Sequence, residues 1–384
     1  MRPMPSTNMV KARVLAVVFA KKYKIDLKEL LMVLGRLRPN LGEKVNYIVE
    51  PKDWSIKADG VNIAREINVL KGHPKISITR RPYLASAPLV HFGSQFMFQN
   101  WCNYMSKNQK IIVTYFHGKL GEDRITDANL EFLIANQRKI SAVIVSFELM
   151  RQRLISLGIP SSLIKLIPIG VSSSNYVPPE SLNQVLKTRE SLGIPVGCKI
   201  IGSFQKDGEG WGDGLSPKLI KGPDLFVESI RLISKKIPIF VLLSGPARGY
   251  VIKKLSEYGI PHAHRYVRDP EELIRHYQAL DLYIVSSREE GGPKGLIEAL
   301  SVGCPVVSTP VGLATDMKSK SALLSILKSF EIEEIASESV RILNRSLEFP
   351  DRELLRDHIL KYDWKEIARR HTEEVYLPLI LETR

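Results

Sequence analysis

Residues 282–308 constrain the fold more than any other part of this 384-residue chain. An apolar run at 282–285 leads into a loop rich in glycine and proline, and an apolar helical stretch follows from Leu296. A turn at Gly303 then leads into a second apolar run at 305–308. Two short apolar runs joined by a helix predict a βαβ unit, and therefore a parallel sheet that is covered on both faces.

Two carboxylates flank the start of the predicted helix. Glu290 lies in the loop and Glu298 lies inside the helix. The glycines between them allow a ligand to approach the backbone, and the free amides at a helix start suit a phosphate. An ordinary crossover with two solvated glutamates is the competing interpretation, and it would be preferred for either glutamate alone.

The combination of carboxylate spacing, glycines and flanking strands resembles the donor-site signature of retaining glycosyltransferases of the GT-B fold. This is the glycosyltransferase family 4 type, also described as glycosyl transferases group 1. The resemblance covers the chain from about residue 45 to the end. It implies an α/β fold of two Rossmann-like domains that face each other across a cleft, with a C-terminal helix crossing back to the first domain.

Four segments are expected on this basis. They are a basic amphipathic N-terminal helical segment (1–44), an acceptor domain (45–178), a nucleotide-sugar donor domain (179–361) and the crossover helix (362–384). Apolar runs that alternate with helical stretches support two doubly wound domains. A helix is predicted to start near Gly60. The predicted strands are 45–50, 76–79, 89–92, 111–116, 142–146, 199–204, 239–243, 282–285 and 305–308.

The resemblance also implies roles for single residues of the donor site. Glu290 would accept hydrogen bonds from the hexose hydroxyls, and Glu298 would accept them from both ribose hydroxyls. Lys221, just before a predicted helix, stands where the family has its diphosphate-binding lysine. The backbone that would line the sugar and the phosphates belongs to Gly291, Gly292, Pro293, Lys294 and Gly295.

The sequence departs from the family pattern at two places. Gln205 stands where the family usually has an arginine or lysine after the first strand of the donor domain, and Lys206 could supply that cation instead. Gly292 stands where an aromatic residue is more usual, and Pro293 where glycine is more usual. We expect these changes to reshape the sugar pocket without removing either glutamate.

Three further residues are candidates by their position. His117 follows the strand predicted at 111–116, at the strand end where open α/β sheets bind ligands, and similar enzymes carry a histidine there near the transferred sugar. We therefore expect His117, with Glu290 and Lys221, to act in catalysis. Gly60 and Arg248 are expected to contact the donor, although a strand-end histidine or arginine can equally be structural.

The segment 207–214 has glycine at every second position and cannot form a stable helix. Two interpretations stay open. It is either a lid that closes on the donor, with Trp211 as its apolar anchor, or a hairpin without a catalytic role.

The net charge of +14 is concentrated in the first half of the chain. Residues 1–180 contain 26 Lys and Arg against 13 Asp and Glu, whereas the remainder contains 29 against 28. This asymmetry suggests that one domain faces an anionic surface or substrate, or that its surface is simply well solvated. Residues 10–38 are predicted to form a basic, apolar-striped helix that either lies on a membrane or packs on the following domain.

Composition limits the cellular compartment and the cofactors. Three scattered cysteines fit a reducing cytosol and give no metal-binding spacing. The chain contains no run of 18 apolar residues, and a cleaved signal peptide is not expected. We therefore expect a cytoplasmic protein, with residues 1–44 as a possible contact to the inner membrane face, and neither a metal nor a cofactor.

The function expected from the resemblance is transfer of a hexose-type sugar, with retention, from a nucleotide-diphosphate sugar to a hydroxyl of a glycan, a lipid-linked acceptor or a polysaccharide precursor. The alternative is a basic protein that binds nucleic acid or a membrane surface on an inactive GT-B scaffold. The sequence has no nucleic-acid-binding motif, so no nucleic acid partner is expected.

Overall fold

The computed structural model describes residues 27, 28, 30, 31, 42–51, 55–70, 72–267, 269–317, 321, 323–345 and 349–382. They form two compact units. The first contains the described residues up to Val145, Arg153–Ile167 and the C-terminal residues from Ala368. The second contains Ser146–Gln152 and Pro168–Ile367. The chain thus changes units at residues 167 and 367, where the sequence suggests boundaries at 178 and 361.

Each unit is built on one six-stranded parallel sheet. The strand order is β2-β1-β3-β4-β5-β6 in the first unit and β12-β11-β10-β7-β8-β9 in the second. The strands are β1 (Val45–Ile48), β2 (Ile76–Thr79), β3 (Leu89–Phe92), β4 (Lys110–Thr114), β5 (Ile140–Val145), β6 (Ile164–Leu166), β7 (Lys199–Phe204), β8 (Ile239–Ser244), β9 (His262–His264), β10 (Leu282–Val285), β11 (Val306–Ser308) and β12 (Leu324–Ile326).

Helices connect most consecutive strands, and others follow the last strand. Those within the described ranges are α1 (Ser55–Val69), α2 (Gln95–Trp101), α3 (Arg124–Ala135), α4 (Glu148–Ser156), α5 (Leu182–Ser191), α6 (Pro223–Ser234), α7 (Gly249–Glu257), α8 (Pro270–Gln278), α9 (Lys294–Ser301), α10 (Ile332–Leu343), α11 (Phe349–Asp357), α12 (Trp364–His371) and α13 (Leu377–Leu381).

The central strands are continuous apolar runs because helices cover both faces of each sheet. β10 is buried at all four positions, and so are the four positions of β1 and β3. All nine strands predicted from the sequence are confirmed, with ends shifted by at most two residues. The unpredicted strands β6, β9 and β12 are each three residues long and lie at the sheet edges. Three residues are too few for a pattern of apolar and polar side chains to identify a strand in the sequence.

The helix start predicted near Gly60 was wrong. Gly60 does not begin α1 but lies inside it, five residues after Ser55. A Cβ at position 60 would lie 2.5 Å from a ring carbon of Tyr47 on β1. The glycine therefore allows α1 to pack closely on the sheet.

The predicted helix at 10–38 lies almost entirely outside the described residues. The four residues that are described there have helical backbone, and Leu31 is buried. The ammonium of Lys28 donates to the Asn100 carbonyl at 3.0 Å and lies 5.2 Å from the centre of the Trp101 ring. This part of the segment therefore contacts the first unit.

The C-terminal residues from Ala368 belong to the first unit, as a crossover helix requires. The Tyr376 hydroxyl and His91 Nδ1 are 2.7 Å apart, and His91 Nε2 lies 2.8 Å from the Thr114 hydroxyl. Burial lowers the pKa of the neighbouring His371 to about 3. Within the described ranges, every helix is too short or too polar to span a bilayer.

Candidate functional site

The candidate site lies in the second unit, where β10 gives way to the loop before α9. Gly222, the residue that precedes α6, brings a second segment against this loop. It adopts a left-handed conformation (φ +60°), and a Cβ at this position would collide with the carbonyl of Ser286. The amide of Arg288 donates to the Ile220 carbonyl at 2.8 Å, which joins the two segments through the backbone. Residues 219–222 and 286–290 are thus held side by side.

This arrangement brings two of the predicted site residues together. The ammonium of Lys221 lies 2.7 Å from Oε1 of Glu290, and these side chains are 22% and 14% exposed. The Ser287 hydroxyl donates to the same oxygen at 2.9 Å, and the side-chain amide of Gln205 donates to the Lys221 carbonyl at 3.1 Å. A cation and a carboxylate therefore meet at the end of β10, at a partly accessible surface.

Glu298 lies in α9 and is held by two phenols that sequence reasoning missed. Tyr277 donates to Oε2 at 2.8 Å, and Tyr176 donates to Oε1 at 3.4 Å. Burial, and then the charge of Glu298, raise the pKa of both tyrosines, so both hydroxyls remain donors. Two hydroxyl donors thus hold the carboxylate in position.

The glycines between the two glutamates serve the packing of this loop. A Cβ on Gly292 would lie 2.7 Å from Ile169, and one on Gly295 would collide with the Tyr283 hydroxyl. The carbonyl of Gly291 accepts a hydrogen bond from Ser146 at 3.1 Å. Pro293 precedes the first turn of α9. The backbone of this loop thus approaches its neighbours more closely than side chains would permit.

Lys294, at the start of α9, is directed to an aromatic ring. Its ammonium lies 5.8 Å from the centre of the Trp364 ring. The predicted contact of the Lys294 backbone with a donor stays a prediction.

An ion pair that was not predicted joins the loop to α6. Arg288 donates to both carboxylate oxygens of Asp224, at 2.8 and 2.6 Å, in a bidentate arrangement. Burial acts to raise the pKa of Asp224, but the hydrogen bonds and charge of Arg288 outweigh it and lower that pKa. The pair holds the first turn of α6, and with it Lys221, beside the loop.

The glycine-rich segment 207–214 forms one side of a hairpin. The amide of Glu209 donates to the Ser216 carbonyl at 2.9 Å, and Gly208 pairs with Pro217. Trp211 is 57% exposed, and the ammonium of Lys206 lies 4.8 Å from the centre of its ring. The segment is therefore a hairpin that carries Trp211 on its surface.

Arg248 is not at a surface that a donor could reach. Its guanidinium and the carboxylate of Asp207 are 3.1 Å apart, with exposures of 0% and 1%. Arg248 also donates to the carbonyls of Ser203 at 2.8 Å and Gln205 at 3.0 Å. The predicted donor contact of Arg248 is therefore not supported, because the side chain turns into the protein and ties β7 to the hairpin.

The two remaining candidates, His117 and Gly60, lie in the first unit. His117 follows β4 in a loop, as predicted, and its ring is half-buried. Its carbonyl accepts a hydrogen bond from Gln95 at 3.3 Å. Gly60 packs closely against the ring of Tyr47. Their roles toward a donor or a transferred sugar stay predictions.

Residues 214–345 match the family model described as Glycosyl transferases group 1. This segment is thus similar to the glycosyl transferases group 1 family. The match covers Lys221, Glu290 and Glu298 and begins at the end of the glycine-rich segment. The family resemblance predicted from the sequence is thereby confirmed.

Curated relatives match part of this chain. The chain is 31% identical over 150 residues to the D-inositol 3-phosphate glycosyltransferase of Corynebacterium urealyticum, a match that covers 35% of this chain and 33% of that protein. It is 26% identical over 156 residues to the lipopolysaccharide core biosynthesis mannosyltransferase LpsB of Rhizobium meliloti, covering 38% and 41%. The matches thus span about a third to two fifths of these relatives.

Solved structures match nearly the whole chain. Alr3699/HepE of Anabaena, crystallised with UDP and glucose, superimposes with a TM-score of 0.69 at 16% identity, covering 87% of this chain and 99% of that one. The sucrose-phosphate synthase of Thermosynechococcus elongatus gives 0.67 at 16% identity, covering 88% and 100%. This likeness establishes the fold, and the predicted GT-B class is confirmed.

Proposed function

We propose that this chain is a glycosyltransferase that moves a hexose-type sugar from a nucleotide-diphosphate sugar to a hydroxyl acceptor. The observation that carries the proposal is the ion pair between Lys221, just before α6, and Glu290, in the loop after β10, with Glu298 held in the helix that follows this loop. A diphosphate requires a cation, and sugar hydroxyls require carboxylate acceptors. Both kinds of group meet where the segment before α6 lies beside the loop between β10 and α9.

Each side chain has a defined task in this proposal. Lys221 would stabilise the negative charge that develops on the leaving diphosphate, and the first amides of α9 would do the same through the helix dipole. Glu290 would accept from the hexose hydroxyls and Glu298 from the ribose hydroxyls. The protein thus orients the donor and stabilises the departing charge, while Tyr277 and Tyr176 keep Glu298 in position.

We further propose that transfer retains the anomeric configuration and needs no metal or cofactor. The support is the family resemblance, together with the lysines that can neutralise a diphosphate without a divalent ion. The leaving diphosphate would assist removal of the acceptor proton on the same face of the sugar. His117 would contribute from the first unit, near the transferred sugar.

The acceptor that we propose is a glycan, a lipid-linked precursor or a polysaccharide precursor, reached from the cytoplasm. Two relatives support this breadth through their names, one an inositol phosphate glycosyltransferase and the other a lipopolysaccharide core mannosyltransferase. The basic first half of the chain suits an anionic acceptor or an anionic inner membrane face. A basic binding protein on an inactive scaffold is the alternative.

A donor screen followed by calorimetry tests the function. UDP-, GDP-, ADP- and TDP-sugars are screened by thermal shift, and the sugar that stabilises the chain is titrated into wild type and two variants. Glu298→Ala and Lys221→Ala should each weaken binding at least tenfold, because each removes a charge-assisted contact worth roughly 1.5–3 kcal/mol. The control is Glu333→Ala, an exposed carboxylate on α10, which should bind as wild type does.

Two outcomes would reject the proposal. One is that no nucleotide sugar stabilises the chain. The other is that both site variants bind the donor as tightly as the Glu333→Ala control. Tight, strongly salt-dependent binding of DNA without donor binding would favour the alternative function.

A further inference from the structure

Lys218 lies beside the candidate diphosphate site, although neither the sequence pattern nor the proposed mechanism uses it. Its amide donates to the Asp207 carbonyl at 2.8 Å, which places it across the hairpin from Lys206. The amide of Lys221 donates to the Lys218 carbonyl at 2.8 Å, which places these two lysines one turn apart. The backbone thus assembles three lysines from two segments of the chain.

The ammonium groups are close enough to influence one another. Partial burial lowers the pKa of Lys206, and the positive charges of Lys218 and Lys221 lower it further. The carboxylate of Glu209 acts in the opposite direction. Mutual repulsion of this kind is unfavourable in the empty site and is relieved when an anion binds between the cations.

The charge near Lys221 is only partly balanced. Glu290 pairs directly with Lys221, and Glu209 lies near Lys206. Among these five side chains, three lysines and two carboxylates leave one positive charge in excess. Arg248 does not change this balance, because Asp207 neutralises it inside the protein.

The hairpin that carries two of these lysines is held rigidly in place. Its strands pair at Gly208 and Pro217, and the amide of Gly249 donates to the Asp213 carbonyl at 2.7 Å. The Trp211 ring lies under the ammonium of Lys206. A fixed hairpin can orient its cations before a ligand arrives, which reduces the entropic cost of binding.

We propose that Lys218 is a further diphosphate-binding residue, which with Lys206 supplies the positive charge that Gln205 cannot supply. This inference rests on the proposed function, since it assumes that the site takes a diphosphate. It explains how the site tolerates glutamine at the position where related enzymes usually have a cation. It also gives the glycine-rich hairpin a role, which is to carry that charge.

Calorimetric titration of the full chain with inorganic diphosphate tests the inference. Lys218→Met keeps most of the aliphatic stem and removes the charge, and we expect it to weaken binding about tenfold, as for the loss of one charge-assisted hydrogen bond. Lys218→Arg should restore most of the affinity. The matched control is Lys236→Met, an exposed lysine beyond the far end of α6, which should bind as wild type does.

Salt provides a second readout that a purely structural role would not change. Because exposed charges are screened within about 3 Å at 1 M salt, the gap in affinity between wild type and Lys218→Met should shrink as salt is raised. The gap between wild type and Lys236→Met should stay near zero throughout.

The results separate this inference from the proposed function. If Lys221→Met weakens diphosphate binding while Lys218→Met binds like the Lys236→Met control, the inference is overturned and the donor site stands. If wild type binds neither diphosphate nor any nucleotide sugar, both are overturned.

Discussion

The buried ion pair of Arg248 and Asp207 offers a sharp test of how the second unit is stabilised. Both side chains are inaccessible, and the guanidinium also bonds the carbonyls of Ser203 and Gln205. Arg248→Met keeps a long unbranched side chain but removes the charge and every one of these bonds. It leaves the Asp207 carboxylate buried without its counter-ion.

We expect this single substitution to destabilise the second unit by about 3–5 kcal/mol, the range for breaking a buried pair on one side. Burial already raises the pKa of Asp207, and the charge of Arg248 counteracts it. In the variant that pKa rises further. A carboxyl whose folded pKa is raised is least costly below that pKa, so the destabilisation should become smaller as the pH falls.

The double variant Arg248→Met with Asp207→Leu distinguishes charge from packing. It removes both ions, so at least half of the lost stability should return, because an apolar pair of similar volume is often as stable as a buried ion pair. Hydrogen exchange of β7 and β8, measured by mass spectrometry, reports the free energy of local opening in this unit. A loss below about 1 kcal/mol in the single variant, or a double variant less stable than the single one, would refute the reasoning.

Three other predictions concern the remaining structural features. Gly222→Ala should lower the free energy of unfolding by about 1–3 kcal/mol and weaken donor binding, because the left-handed backbone of Gly222 faces a carbonyl. Gly193 is also left-handed but faces open space. Gly193→Ala should therefore lose less stability in thermal unfolding and leave donor binding unchanged. Below pH 6.5 the free energy of unfolding of the wild type should fall by about 1.4 kcal/mol per pH unit, because the depressed pKa of His371 keeps its ring neutral in the folded state only. Urea unfolding of His371→Leu at pH 7 and pH 5 should lack this contribution. An equal dependence on pH in wild type and variant would contradict the prediction. Tyr277→Phe should raise the donor KM about fivefold, since Glu298 loses one of its two phenol donors; an unchanged KM in steady-state kinetics would exclude that role.

Much of the fold and part of the site could be predicted from local patterns. The strand-loop-helix at 282–301 is encoded by consecutive residues, so its elements and Glu290 were recognisable in the sequence. Lys221 was recognised because it stands where the resembled family has its diphosphate-binding lysine, just before a helix. These features require no knowledge of which distant segments become neighbours.

The missed contacts depend on distant segments. β10 lies between β7 and β11 in the sheet, and this order determines which tyrosines reach Glu298. The pairing of Arg288 with Asp224 joins residues 64 apart in the chain. Arg248 was placed correctly after a strand, but a sequence does not indicate whether a long side chain points outward or back into the protein.

The contact between Lys221 and Glu290 also bears on which anions the site can discriminate. An anion that approaches Lys221 must compete with a carboxylate already 2.7 Å away. Inorganic phosphate that displaces Glu290 from Lys221 costs the carboxylate this ion pair. A ligand that carries hydroxyls next to its phosphates would offer the Glu290 carboxylate new hydrogen-bond donors in exchange. Recognition of phosphate and recognition of sugar are therefore linked through one pair of side chains. If the site takes a nucleotide sugar as proposed, this competition would favour a molecule that presents both groups together over an anion that presents phosphate alone.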